Sequence, residues 1–208
     1  MASGLKRYNL SSYYESSANY PSNLAALFNQ FTLSTSGVTS IDFSGSTSSS
    51  QSAYWFGYFL APSTGTYTFN VTSDDGSLLW IGANALSGAP TVANAFINNS
   101  GIHGATLKSN SITLEANNYY PFRLIWGDGQ IYDYQLTVSF SGPSISNTTD
   151  FTGYWFDSPL VSPTPTPTVT PTVTPTVTPT ISVTPTITPT ITVTPTISVT
   201  PTLTPTKT

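Results

Sequence analysis

Every aromatic side chain of this 208-residue chain lies at or before Phe156, and from Pro163 onward the sequence is a repeat of Thr and Ser with Pro, Val, Ile and Leu. Everything able to build a core therefore lies in the first part of the chain, roughly 150 residues, enough to fold on its own. In the tail every even-numbered position from Thr164 to Thr208 is Thr or Ser, and every odd one before Lys207 is Pro, Val, Ile or Leu. Such proline density prevents a regular central strand and favours extended polyproline II, in which the tail reaches roughly 150 Å at about 3.1 Å per residue. Two readings stay open for it. One is a solvated, O-glycosylated, mucin-like stalk; the other is a two-fold extended ribbon whose apolar side docks on a capsid, a wall polymer or copies of itself. The chain thus divides into a domain over residues 1–157 and a stalk over residues 158–208.

The chain is 13% aromatic, all of it in the first part, yet only 7% charged. Short strand-like runs punctuated by Gly, Asn and Ser predict an all-β antiparallel sandwich. One stretch departs from this: in SNLAALFNQF, residues 22–31, apolar side chains recur at three- and four-residue steps after Ser22, which predicts a short Ser-capped helix. The most informative segment is TFNVTSDDGSLLWIG, residues 68–82. There Tyr67, Phe69 and Val71 lead into Asp74-Asp75-Gly76, and Leu78 to Ile81 lead out. Two adjacent carboxylates repel unless solvated, hydrogen-bonded or neutralised, and a hard divalent cation with oxygen ligands neutralises them most completely. Asp-Asp-Gly is equally the composition of a solvated hairpin turn.

The stretches YWFGYFLAPSTGTYTFNVTSDDGSLLWIG and NNYYPFRLIWGDG decide between these readings, because together they resemble a PA14-type β-domain, nearest the GLEYA and flocculin branch of fungal adhesin lectins. The resemblance covers residues 51–140 well, and GLKRYNLSSYY and SIDFSG more loosely resemble the first strands of that fold. In those lectins paired aspartates joined by a cis peptide bind calcium, which in turn holds sugar hydroxyls. The resemblance assigns that role to Asp74 and Asp75. It places Asp128, where the family usually has Asn, on a further ligand position in the loop after Tyr119-Tyr120-Pro121, with Gln130 and Tyr132 as main-chain oxygen donors. The implied cofactor is Ca2+ and the implied partners are cell-surface glycans. Among the aromatics near this region, Trp80, Tyr132 and Tyr134 are expected mainly in the core, with Tyr132, Tyr134 and Leu136 on one strand face, and Trp126 is the expected exposed sugar-facing ring. The amide-rich segment of residues 82–104 offers Asn84, Asn94, Asn98 and Asn99 as hydroxyl contacts.

Charge removes other classes. Five basic residues against nine acidic give a net charge of −4, so there is no basic surface for phosphate backbones and nucleic acid is not an expected partner. No apolar run approaches the roughly 18 residues of a membrane span, so no membrane insertion is expected. The opening MASGLKRYNL lacks the apolar segment of a signal peptide. Export then uses another route, follows processing, or occurs by assembly inside a cell, as for a virion protein. The absence of cysteine excludes a disulfide framework and a thiolate zinc site. Sequons at Asn9, Asn70, Asn98 and Asn147 matter only in a secretory pathway. One histidine, His103, with no nucleophile elbow, phosphate loop or HExxH helix, argues against an enzyme. The leading expectation is a calcium-dependent glycan-binding adhesin module on an extracellular or virion surface. A structural component of a virion or cell wall, tethered by the tail, is the alternative.

Overall fold

The computed structural model of the chain describes residues 2–129 and 132–159. The tail, and with it both readings offered for it, lies outside the described residues. The folded unit falls within Met1–Thr164.

In chain order the strands are β1 (Leu5–Leu10), β2 (Thr32–Val38), β3 (Asp42–Ser46), β4 (Gln51–Leu60), β5 (Gly65–Asp74), β6 (Ser77–Ile81), β7 (Ile97–Asn99), β8 (Thr106–Leu114), β9 (Tyr119–Asp128), β10 (Asp133–Gly142), β11 (Ile145–Thr148) and β12 (Trp155–Phe156), with one helix, α1 (Leu24–Phe28). They form two antiparallel sheets. One runs β2-β1-β4-β9-β6-β7, with β12 also on β4; the other runs β11-β10-β5-β8, with β3 beside β11 on β10. This is the all-β sandwich expected from the sequence.

The sandwich is held by interdigitated aromatics from both inner faces. Trp55, Phe59, Phe122 and Trp126 of the larger sheet meet Tyr67, Phe69 and Phe140 of the smaller one, and Phe151 and Trp155 close the stack with ring centroids 3.7 Å apart. Strand β5 shows the period-two logic plainly: Tyr67, Phe69, Val71 and Ser73 are buried, while Thr66, Thr68, Asn70 and Thr72 between them are not. Strand β6 does not alternate, because all five of its residues are buried. Its Leu79 and Ile81 enter the sandwich, and its Leu78 and Trp80 pack outward under Leu24, Leu27 and Phe28 of the α1 segment. The predicted helix is present but shorter than residues 22–31, and Asn23 rather than Ser22 caps it: the Ala26 N–H donates to Asn23 Oδ1 at 3.0 Å.

Candidate functional site

The alternation of β5 runs out at Asp74, and Asp75 and Gly76 turn the chain from the smaller sheet into β6 of the larger one. The Asp74–Asp75 peptide is cis. Asp75 is buried, 2% exposed, and its carboxylate ties three segments together. His103 N–H donates to Oδ1 at 2.9 Å, and Gly129 N–H donates to Oδ2 at 2.9 Å. Main-chain bonds add to this: Gly127 N–H donates to the Gly76 carbonyl at 3.0 Å, and the Trp126 indole N–H donates to the Asp74 carbonyl at 3.0 Å. Asp128, itself fully buried, lies between the two glycines so bonded, which brings its backbone beside this turn; among the described residues no three acidic or histidine side chains are arranged as a ready metal cluster.

The Asp74 carboxylate faces a cleft of about 260 Å³ that it lines with Asp75, Ile102, His103, Tyr132 and Asp133. A second depression lined by Asp74, Ser44, Ser46 and Gln135 continues from it beside β3 and β10. Burial, and next the neighbouring Asp75 carboxylate, raise the Asp74 carboxyl above its ordinary value, while His103 and the Ala105 backbone N–H pull it the other way. The two arginines of the domain are committed elsewhere. Arg123 lies over Phe28 and Phe56 with its guanidinium 4.5 and 4.6 Å from the ring centroids, and Arg7 lies over Phe43 and Trp55. The cleft therefore concentrates negative charge on hard oxygen donors, a donor set that suits a calcium ion and not a soft metal.

A layer behind the cleft holds it in shape. Glu15 Oε1 accepts from the Tyr14 hydroxyl at 2.8 Å and from Gly101 N–H at 2.9 Å, and the Tyr13 hydroxyl donates to the Gly101 carbonyl at 3.2 Å. Burial, and next Glu15, push both tyrosine hydroxyls well above their usual pKa. These rings pack so close that side chains are excluded from the loops: a Cβ on Gly76 would stand 2.6 Å from Glu15 Oε1, and one on Gly129 would stand 2.9 Å from the Tyr13 ring. Sequence reasoning missed this layer. The three glycines that flank the aspartates, Gly76, Gly127 and Gly129, carried the signal.

Several expected contacts stand elsewhere. Trp126 is not an exposed ring; it is 1% exposed in the sandwich, edge-on to Phe43 with centroids 5.3 Å apart, because its place on β9 points it at the other sheet. Asn99 is buried and internal, donating from Nδ2 to Ser73 Oγ and the Thr106 carbonyl. Asn94 is spent on the Trp80 indole N–H, Thr91 and Ala89. Asn84 follows β6 at the end away from the aspartates, about 16 Å off at the usual rise of a strand. Asn98 is exposed on β7 opposite Leu78 and stays near the cleft. Tyr132 does not share the inner face with Tyr134 and Leu136: β10 begins one residue later, and Tyr132 is 71% exposed on the rim of the cleft. Trp80 is in the core as expected, under α1. Gln130 lies outside the described residues.

With the fold and cleft in view, comparison with known proteins is informative. The architecture is that of a PA14-type β-domain. The GLEYA domain family model matches residues 52–142, the region that holds the two quoted stretches and in keeping with their resemblance. Among solved structures it is similar to the epithelial adhesin 6 A domain from Candida glabrata in complex with Galβ1-3GlcNAc (TM-score 0.59, 19% identity, covering 74% of this chain and 88% of that one). It is also similar to the epithelial adhesin 9 A domain from the same organism in complex with Galβ1-4GlcNAc (0.60, 19%, 77% and 92%). A third is the PA14 domain of the MpAFP antifreeze protein (0.54, 19%, 77% and 94%). At these identities the likeness is one of fold. No curated protein matches the chain.

Proposed function

We propose that the domain is a calcium-dependent glycan-binding module, with its cleft at Asp74 and Asp75. The observation that carries this reading is the pair Asp74 and Asp75 lining an open, polar cleft, with the Asp75 carboxylate bonded to the Gly129 N–H beside Asp128, in a domain whose residues 52–142 match the GLEYA family model. Asp74, Asp75 and Asp128 would hold the ion with main-chain oxygens of Gln130 and Tyr132, the last two resting on the family resemblance. Bound there, calcium supplies positive charge and open coordination positions for vicinal hydroxyls of a sugar. The protein's own part is to fix the carboxylates through the His103 and Gly129 N–H groups and to present Tyr132 and Ile102, 71% and 57% exposed, as apolar flanks for a sugar ring. Glycans in the structures of two proteins of like fold support this choice of ligand class.

The Pro/Thr tail is then a spacer that displays the domain away from an extracellular surface, and many copies so displayed offset the modest affinity of one shallow site. The test is a broad glycan array probed with the full chain in calcium and again after EDTA. Signals that vanish with EDTA, and in the Asp74→Asn variant, are the expected result. An array blank in both conditions, or one indifferent to EDTA and to the variant, sinks the reading.

A further inference from the structure

A second cleft, of opposite sign, lies across β4 and β9 from the aspartates. It has a volume of about 220 Å³, and Arg7, Asn9, Ser11, Ser49, Ser50 and Gln51 line it over a floor formed by Trp126. No acidic side chain lines it, although the chain carries nine acidic residues against five basic ones. Arg7 is half-buried. Its guanidinium stands 5.4 Å from the Trp55 centroid on β4 and 5.8 Å from that of Phe43 on β3. Its Nε–H donates to Asn9 Oδ1 at 3.0 Å, and among the described residues no carboxylate forms an ion pair with it. Burial pushes this guanidinium below its ordinary pKa, while Tyr134 pulls it the other way.

Strand register fixes how this cleft relates to the first. Gln51 stands directly opposite Asp128 in the β4–β9 ladder, and the Ser50 hydroxyl donates to the Gly129 carbonyl at 3.3 Å. Asp128 at the end of β9 lies two strands from β1 and Asp75, just before β6, lies three; because Arg7 is level with Leu124, four residues along β9 from Asp128, the separation is roughly 16–20 Å at the usual strand spacing and rise. That span suits a short oligosaccharide and exceeds a single sugar. A planar guanidinium held by aromatic faces and ringed by hydroxyl and amide donors recognises a two-oxygen anion in bidentate fashion.

We infer that the Arg7 cleft is a subsite for an oxyanion carried on a glycan, a carboxylate or a sulfate ester, so that the domain favours acidic glycans over their neutral counterparts. The inference rests on the glycan-binding reading above. Arg7 receives the oxyanion, and Ser11, Ser49 and Gln51 donate to its remaining lone pairs.

The experiment is a glycan array with matched neutral, carboxylated and sulfated members, probed with the full chain in calcium at low and at high sodium chloride. Wild type is expected to bind acidic members at least several-fold better than their neutral partners, with that advantage shrinking at high salt. Arg7→Gln is expected to erase the advantage and leave neutral binding unchanged, and Arg7→Lys to keep part of it. Neutral glycans bound as well as acidic ones by wild type overturn the subsite alone. An unchanged advantage in Arg7→Gln does the same. A blank array overturns the subsite and the glycan-binding reading together. The wild-type comparison needs no variant, so a poorly folding Arg7→Gln protein does not protect the inference.

Discussion

The two clefts beside the end of β9 use opposite means to keep a charge out of water. Asp75 is satisfied by backbone: two N–H groups from two loops converge on its oxygens, so the charge and the shape of the loops depend on each other. Arg7 is supported by side chains: two aromatic faces carry its guanidinium, and its Nε–H donates to Asn9 Oδ1. A carboxylate that organises backbone is hard to replace without disturbing the fold, whereas a cation resting on rings can be removed with a small local loss. The acidic cleft is therefore the one in which binding and stability are entangled, and the basic cleft is the one in which they separate.

The sharpest break of this contrast comes from Asp75→Ala. It strands two part-buried N–H groups, so unfolding by denaturant should show a loss of about 1–3 kcal/mol, and the glycan array should go blank. Wild-type stability in this variant would mean that the two loops are held by something other than the carboxylate. Asp74→Asn separates the two effects within the same cleft. Asp74 is only partly buried and is crowded by Asp75, so neutralising it should leave stability unchanged or slightly raised. Calcium titration by calorimetry should nevertheless find no binding.

Glu15→Ala tests the layer behind. It removes the acceptor of the buried Tyr14 hydroxyl and of Gly101 N–H, so it should cost about 1–3 kcal/mol and weaken glycan binding several-fold without altering which glycans are preferred. A change of preference would place Glu15 in the ligand site itself. Arg7→Gln is expected to do the reverse, changing preference while costing only about 0.5–1 kcal/mol of stability.

The contrast also explains what could be read from the sequence. Asp74 and Asp75 are adjacent in the chain and sit where β5 alternation stops, so both their place in the fold and their closeness are local facts. Asp128 is far from them in the chain, and its backbone comes near only through the bonds of Gly127 to Gly76 and of Gly129 to Asp75, a long-range pairing that no local pattern shows. Arg7 was not legible, because its cleft exists only once β1 pairs with β4 and β3 swings Phe43 across it. Trp126 and Tyr132 were exchanged for a related reason. Flanking aspartate and glycine made Trp126 look exposed, but β9 continues to Asp128 and carries the ring inward, while β10 starts after Tyr132 and leaves it on the rim. A one-residue difference in where a strand begins or ends decides which face a side chain takes. In β6 period two pairs Leu78 with Trp80 and Leu79 with Ile81, as found, but continuous burial hides which pair enters the sandwich.

The smallest expected effect falls on the segment of residues 82–104, whose asparagines look equivalent in the sequence. Asn84 and Asn98 are both exposed, yet β6 separates them: Asn84 follows its far end, and Asn98 pairs beside Leu78 near the aspartates. Asn84→Ala should leave unfolding free energy and every array signal within error of wild type. Asn98→Ala removes the acceptor of the Ser100 N–H and hydroxyl, which lie one residue before Gly101. A modest fall in affinity is expected there, smaller than for Glu15→Ala, because the loop keeps its tie to Glu15. Equal losses at Asn84 and Asn98 would mean that the ligand reaches the far end of β6, and the cleft at Asp74 would then be only one part of a much longer binding surface.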